Sequence, residues 1–304
     1  MASIVVFGSL NMDQSIELQR LPAPGETVMA DAMRYTPGGK GANQAVSAAR
    51  MRGDVAFVGC VGNDDHGRTM VQRLNDERID TSNVAIIPDT PTGLAVVAVD
   101  AAGQNSIMVV PGANYETSTE QLDALDAVLN ENSTLVVQLE LPHALVGKAL
   151  QLAKKRGART VLNAAPAAEV TQMLGDVDVL IVNEPEAESL AAMPVTSLDT
   201  AAGAASKLHT EFDCAVIVTC GAAGSVTCAD GKTTNIPPFP VTAVDTVGAG
   251  DAFVGALVVA LDEGRALNAA ARLASAAGAA AATKMGAQDA LPRRGELAEL
   301  FGVR

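Results

Sequence analysis

Tryptophan is absent from this 304-residue chain, and only two tyrosines and six phenylalanines are present. Little is therefore available to stack a nucleobase, although apolar side chains could substitute. Basic residues are also scarce, 21 against 35 acidic ones for a formal charge of −14, and no run of five or more Lys or Arg occurs. Nucleic acid and polybasic membrane contacts are not expected of such a chain. A polyanionic substrate would have to be held by local dipoles and a divalent cation. The four cysteines (Cys60, Cys214, Cys220 and Cys228) form no CxxC pair and have no His at metal-ligand spacing, which leaves them as buried or free thiols. His66, His143 and His209 are scattered, the first two placed like helix-start residues. No apolar run approaches the roughly 18 residues of a membrane span, and the N-terminus has no basic leader segment, so a cytoplasmic protein is expected. GxxxxGK[ST] is missing, which removes the P-loop route to nucleotide phosphates.

What is present is apolar sequence, 48% of residues, arranged as repeated strand-then-helix units. Short apolar runs at 4–7, 55–58, 135–138, 161–162, 179–182 and 216–219 read as strands buried on both faces of a parallel sheet. Helical stretches at 42–51, 66–75, 119–130, 144–156, 199–209, 251–262 and 266–284 alternate with them. The alanine-rich part of the last stretch reads as a buried helix packed closely on the sheet. The result is one α/β domain over residues 1–304. Two regions, about 14–37 and 92–112, break the rhythm and read as a small β-sheet lid, with strands at 94–99 and 106–110 around the turn Asp100-Ala101-Ala102-Gly103.

The most informative segment is Asp245-Thr246-Val247-Gly248-Ala249-Gly250-Asp251. Small residues open a helix there and leave its first N–H groups bare, a natural anion site at the positive end of the helix dipole. A carboxylate in that place, Asp251, is either an ordinary N-cap or a base that accepts a proton from a substrate hydroxyl while neighbouring amides hold a transferring phosphoryl group. On the second reading, the N–H groups of Gly248, Ala249, Gly250 and Asp251 form the anion hole. Side chains larger than methyl at 248–250 would crowd an approaching phosphate.

A second glycine-rich run, Pro37-Gly38-Gly39-Lys40-Gly41-Ala42-Asn43-Gln44-Ala45, lies two hundred residues upstream. Together these two regions, with Asn11-Met12-Asp13 and Asn183-Glu184-Pro185-Glu186, resemble the signatures of the PfkB (ribokinase) family of carbohydrate kinases. The resemblance runs from about residue 4 to 292. It implies a three-layer α/β sandwich with a central, mostly parallel sheet and a small β-sheet lid that covers the sugar and often forms a homodimer contact, Gly38-Gly39 serving as its hinge. It also implies ATP-dependent phosphorylation of D-ribose at O5 with Asp251 as base. Another sugar or a nucleoside (deoxyribose, fructose, adenosine), or a non-catalytic sugar-binding protein on the same fold, stays open.

By the same resemblance, Asn11, Asp13, the Gly39-Lys40-Gly41 backbone, Asn43 and Glu140 are sugar contacts. Such a set suits a hydroxyl-rich ligand, because unmatched polar groups penalise the wrong one. Lys40 is ambiguous, since a lysine in a glycine-rich loop could also meet phosphate. The resemblance also implies that Asn183 and Glu186, Thr219, Gly221, Ala222 and Gly224, the Gly250 amide and Ser275 face the nucleotide and its Mg2+. Taken alone, the Asn183/Glu186 pair would be a capping box. A K+ activator is implied at Asp245, Val247, Ala281, Lys284, Gly286 and Ala290, mostly through carbonyls, with Ala290 standing where the family often has a hydroxyl.

Overall fold

The computed structural model describes residues 2–102 and 104–303; Gly103, the end of the expected turn, lies outside them. In chain order, the strands are β1 (Ile4–Phe7), β2 (Asn11–Leu18), β3 (Ala32–Gly38), β4 (Val55–Gly62), β5 (Asp80–Ile87), β6 (Gly93–Asp100) and β7 (Asn105–Val110), then β8 (Thr134–Val137), β9 (Arg159–Asn163), β10 (Val179–Asn183), β11 (Ala215–Thr219), β12 (Ser225–Ala229) and β13 (Lys232–Ile236). The helices are α1 (Lys40–Arg50), α2 (Asp65–Asp76), α3 (Thr119–Val128), α4 (His143–Lys155), α5 (Glu184–Ala191), α6 (Leu198–Phe212), α7 (Ala249–Asp262), α8 (Leu267–Ala282) and α9 (Arg294–Phe301).

The large sheet runs β13-β12-β11-β10-β9-β8-β1-β4-β5. It is parallel from β11 to β5, and β12 and β13 close one edge as an antiparallel hairpin. Strand alternation sorts the interior into two cores, because successive side chains point to opposite faces. Ile4, Val6, Phe57, Val136, Ile181 and Ile217 pack with α1, α2, α7 and α8. Val5, Phe7, Val58, Val137, Leu180 and Val218 pack on the other face with α3 to α6. The three layers expected from the strand-then-helix rhythm are thus present.

Chain order reverses at β1, which has β4 on one side and β8 on the other. In open parallel sheets such a reversal opens a crevice at the carboxyl ends of the strands, where ligands bind. Over this crevice stand α1 and α7, which cross closely: a Cβ on Gly255 would collide with Ser47, whose Oγ donates to the Ala252 carbonyl (3.1 Å). α8 packs chiefly along α7 and against the β12–β13 hairpin. Its Gly278 brings the helix to the Ala249 carbonyl, 3.1 Å from where a Cβ would stand.

The small sheet has the order β3-β2-β6-β7. It begins earlier than the sequence indicated. Asn11 and Asp13, expected at the end of the first strand, lie on β2, on one face of the small sheet. Five elements went unanticipated. β5 reads Asp-Thr-Ser-Asn before its apolar end, an edge-strand pattern without a continuous apolar run. The β12–β13 hairpin turns at Asp230-Gly231, both at positive φ, a signal that was available in the sequence. α5 and α9 are each only eight residues long.

Candidate active site

α7 starts at Ala249, two residues before the expected start, so Asp251 is not its N-cap. Gly248 occupies that position at φ 76 with no side-chain cap, and Asp251 sits inside the first turn. The Ala249 N–H is drawn back to the Thr246 carbonyl (3.2 Å), and the first helical bond runs from Ala252 N–H to the Gly248 carbonyl (2.8 Å). Among the described residues, the N–H groups of Gly250 and Asp251 between them meet no acceptor. Of the expected anion hole only the Ala249 N–H is already engaged; that of Gly248, like those of Gly250 and Asp251, meets no acceptor among the described residues.

The Asp251 carboxylate is 8% exposed and points across to α1. Its Oδ2 accepts from Asn43 Nδ2 (2.9 Å) and its Oδ1 from Gln44 Nε2 (3.0 Å). Burial pushes Asp251 above the usual carboxylate range, against the pull of the Lys40 ammonium and the two amides. Such a shift brings a carboxylate nearer to the working range of a base.

The N-terminus of α1 is the opposite of that of α7, since its donors are satisfied. Lys40 N–H meets Glu140 Oε2 (3.0 Å), Gly41 N–H meets Ser9 Oγ (3.2 Å), and Ala42 N–H meets the Ser9 carbonyl (2.9 Å). Ser9 Oγ in turn donates to Glu140 Oε2 (2.5 Å). Close approach of α1 to the β1–β2 link explains the glycines. A Cβ on Gly39 would stand 2.7 Å from the Asn11 nitrogen, and one on Gly41 2.5 Å from the Ser9 nitrogen.

Asn11 is held by Asn114, whose Nδ2 donates to its Oδ1 (2.8 Å). Asp13 faces Gly38, where any Cβ would collide with its carboxylate. Burial, with Glu140 and Asp251 as like-charged neighbours, raises Asp13 from 3.8 to about 7. Lys40 is surrounded by carboxylates. Burial lowers its ammonium, but Asp251, Glu140, Glu186 and Asp13 together hold it above the ordinary lysine value.

A cavity of about 210 Å³ opens beside Asp251 and Lys40. It is lined by Lys40, Asn163, Asn183, Glu186, Thr219 and Asp251, together with Gly248 and Gly250. Asn183 and Glu186 form the capping box of α5, exchanging bonds of 2.9 Å in each direction. The capping reading of this pair is therefore correct as local structure, and the pair nonetheless lines the cavity. Burial raises Glu186 as well. Thr219 ends β11 at the rim, and Gly221, Ala222 and Gly224 form the turn beyond it. Gly224, at φ 102, lets the chain pass directly under the Ile236 carbonyl. Ser275 is half-buried on α8.

Asp245 ties two loops together, accepting from Val247 N–H (3.0 Å) and Gly286 N–H (2.8 Å). Lys284 N–H returns to the Ala281 carbonyl (3.0 Å), and the Lys284 ammonium pairs with Glu296 (2.6 Å), so only the Lys284 backbone faces these loops. Ala290 is fully buried and offers no side-chain oxygen. No group of three or more His, Cys, Asp or Glu at metal-binding spacing occurs among the described residues. A divalent ion here would rest on phosphate oxygens beside Glu186, as Mg2+ commonly does.

Sequence reasoning missed Ser9, Gln44, Asn114, Gln138 and Asn163 as parts of the site. Gln44 adjoins Asn43 in the glycine-rich run, and Asn163 ends a strand, but only the tertiary structure brings either toward Asp251.

A buried carboxylate beside bare helix N–H groups, set over the crevice of a three-layer α/β sheet, defines a phosphotransferase acting on a small hydroxyl compound. Comparison with known proteins gives the family. The model of the pfkB family of carbohydrate kinases matches residues 1–294, and the chain belongs to that family. It is 39% identical over 300 residues to a ribokinase of Haemophilus influenzae, covering 98% of each chain. A deoxyribokinase of Salmonella typhi is 37% identical over 254 residues, 83% of each chain. Among solved structures, the ribokinase of Arabidopsis thaliana in complex with ribose and ATP superposes with a TM-score of 0.89 at 32% identity, covering 98% of each chain.

Proposed function

We propose that the chain transfers the γ-phosphoryl group of ATP to the O5 hydroxyl of D-ribose, giving ribose 5-phosphate and ADP. The observation that carries this reading is the placement of Asp251: a buried carboxylate fixed by amides from α1 at an N-terminus whose own N–H groups remain free. Full-length likeness to ribokinases supports ribose as the acceptor.

Asp13, Asn43 and Glu140 hold the sugar, with Asn11 orienting the strand. Asn43 Oδ1 is buried without a partner, an acceptor available to a sugar hydroxyl. Asp251 takes the O5 proton as the O5–P bond forms, the bond from the γ-phosphorus to the β,γ-bridging oxygen breaks, and ADP leaves with that electron pair. The N–H groups of Gly250 and Asp251 meet the charge on the transferring group. Asn183, Glu186, Thr219, the 221–224 turn and Ser275 border the nucleotide. Glu186 would stand beside Mg2+ carried on the nucleotide phosphates, which would supply charge neutralisation, and Asp245 would hold K+, which would steady the start of α7.

The small sheet acts as a lid that keeps water from the phosphoryl group. Asp13 shares a face with Ala95, Val97, Ile107 and Val109, of which Ile107 and Val109 are more than half exposed. A second copy of the chain covers that apolar face, making a homodimer. No helix among the described residues is long and apolar enough to cross a membrane, and the four cysteines are free thiols, in keeping with work in the cytoplasm.

Deoxyribose is the competing acceptor, since the deoxyribokinase relative is nearly as similar as the ribokinase. ADP release with Mg-ATP across ribose, deoxyribose, fructose and adenosine, in K+ and in Na+, decides between them. We expect ribose-dependent release, faster in K+, that collapses in Asp251→Asn. Preference for deoxyribose would overturn the acceptor but keep the chemistry, and no release with any acceptor would leave a sugar-binding protein.

A further inference from the structure

Between α1 and the switch point of the sheet runs a buried line of side-chain amides that ends on Asp251. Gln138, just beyond β8, donates from Nε2 to Gln44 Oε1 at 2.7 Å. Gln44 donates from Nε2 to Asp251 Oδ1 and to Asn163 Oδ1, both at 3.0 Å. Asn163 is itself pinned by donating from Nδ2 to the Ile181 carbonyl (3.3 Å). Gln44 and Gln138 are each 1% exposed, so water does not compete for these groups.

We propose that Gln44 and Gln138 form an amide relay that fixes the orientation of the Asp251 carboxylate, making both of them positioning residues for the base. The inference rests on the reading of Asp251 as base. Three features carry it. A side-chain amide can turn over, and the Gln44 amide is locked because Gln138 presents a donor to its oxygen while Asn163 presents an acceptor to its nitrogen. Turned over, Gln44 would aim its oxygen at a carboxylate and leave two further pairs mismatched. The relay is also directional, the Gln138-to-Gln44 and Gln44-to-Asp251 bonds both running N–H to oxygen toward the carboxylate, so their amide dipoles add. Finally, Gln138 keeps this direction although its own Oε1 is buried with no partner among the described residues and faces Gly8, where any Cβ would strike it. A buried orphan acceptor is costly, and packing alone would be served better by an apolar side chain.

Lys40 from α1, Asp13 on β2 and Glu140 after β8 are the charged groups facing Asp251. All three remain in place when the relay is altered, so a change in titration reports the amides. Donors to a carboxylate favour its ionised form, and their loss raises the pH at which it becomes a competent base.

Steady-state kinetics with Mg-ATP and ribose or deoxyribose, whichever is turned over, test this in Gln44→Met, Gln138→Met and the double variant. Methionine keeps the volume of the side chain and removes the amide. We expect the acid limb of the kcat profile to move up by on the order of one pH unit in Gln44→Met, a loss of about ten-fold on that limb that recovers at high pH. KM for sugar should change by less than about three-fold, because Gln44 does not reach the ligand. Gln138→Met should shift in the same direction by less, and the double variant should match Gln44→Met alone, since Gln138 acts only through Gln44. Equal losses at every pH, an unshifted limb, or additive effects would overturn the relay. Should Gln44→Met fail to fold, the shift in Gln138→Met decides. Asp251→Asn, run alongside, separates the two levels: full activity there removes the base reading itself, whereas an inactive Asp251→Asn with unshifted glutamine variants removes only the relay.

Discussion

Asp13 stands on β2, pressed against Gly38 with Glu140 and Asp251 as like-charged neighbours, and its ionisation falls near neutral pH. Its folded value of about 7 lies above the 3.8 it has when free. The folded chain therefore holds a proton that the unfolded chain has released. Stability contributed by the neutral form is complete below about pH 4 and is lost as pH rises toward about 7. We expect Asp13→Asn to be more stable than the parent by on the order of 1–2 kcal/mol at about pH 8, with the difference vanishing near pH 4, in paired urea titrations. The same variant should bind sugar poorly. In the parent, sugar hydroxyls that donate to the ionised carboxylate should drive off a proton on binding below about pH 7. Calorimetry in buffers of different ionisation enthalpy reads that proton directly, and binding heats independent of buffer would contradict it.

Two helices begin over the same crevice, and the difference between their first turns sets their parts. α1 meets Glu140 and Ser9 and is held in place, whereas α7 keeps N–H groups free for an anion. Gly250 and Gly248 separate space from conformation at this second helix start. A Cβ at Gly250 meets nothing within 4 Å, whereas Gly248 has φ 76 and faces Ala287 O at 3.2 Å. Gly250→Ala should leave the thermal midpoint unchanged or raise it slightly, alanine being the better helix former, while raising KM for ATP several-fold by crowding the phosphate. Gly248→Ala should lower stability by about 1 kcal/mol or more through the left-handed backbone it must adopt. Thermal melts and ATP saturation curves on the two variants distinguish a phosphate role from a structural one. A Gly250→Ala enzyme with parental KM would show that the phosphate does not approach there.

Across the whole molecule, the small sheet exposes apolar side chains that a monomer would be expected to hide. Ile107 and Val109 lie on its Asp13 face, and Met33, Tyr35 and Met108 lie on the other. Contiguous exposure of this kind is expected of an interaction surface, and two-fold dimers are the commonest closed assemblies. Ile107→Lys with Val109→Glu should convert a dimer to a monomer in sedimentation velocity at micromolar concentration. Loss of sugar affinity in the same variant would show that the partner steadies the closed lid. A parent chain that sediments as a monomer would remove the dimer.

The layered α/β class was legible in sequence because strands buried on both faces need continuous apolar runs, and the runs at 4–7, 179–182 and 216–219 are of that kind. Asp251 was legible as a candidate because bare glycines before a carboxylate are a local pattern. Its role could not be assigned locally, since a cap and a base share that pattern. The cap was excluded by the start of α7, where Gly248 is the N-cap, and the carboxylate is held instead by α1, whose Gln44 lies 207 residues away in sequence. Asn11 and Asp13 were legible as polar residues after a strand, but their place on the small sheet depended on pairing with β3 and β6, which no local signal specifies. The Gln138–Gln44–Asp251 line was invisible for the same reason: hydrogen bonds between buried amides carry no periodicity, and only the crossing of α1 over the switch point brings them into register. Sequence by itself determined the central strands and the long helices and marked a helix start with bare N–H groups, because backbone propensity and burial pattern are local. Tertiary structure alone decided which carboxylate is held ready, which N–H groups remain free and which glycines are obligatory, because those depend on what the rest of the chain places within a few ångströms.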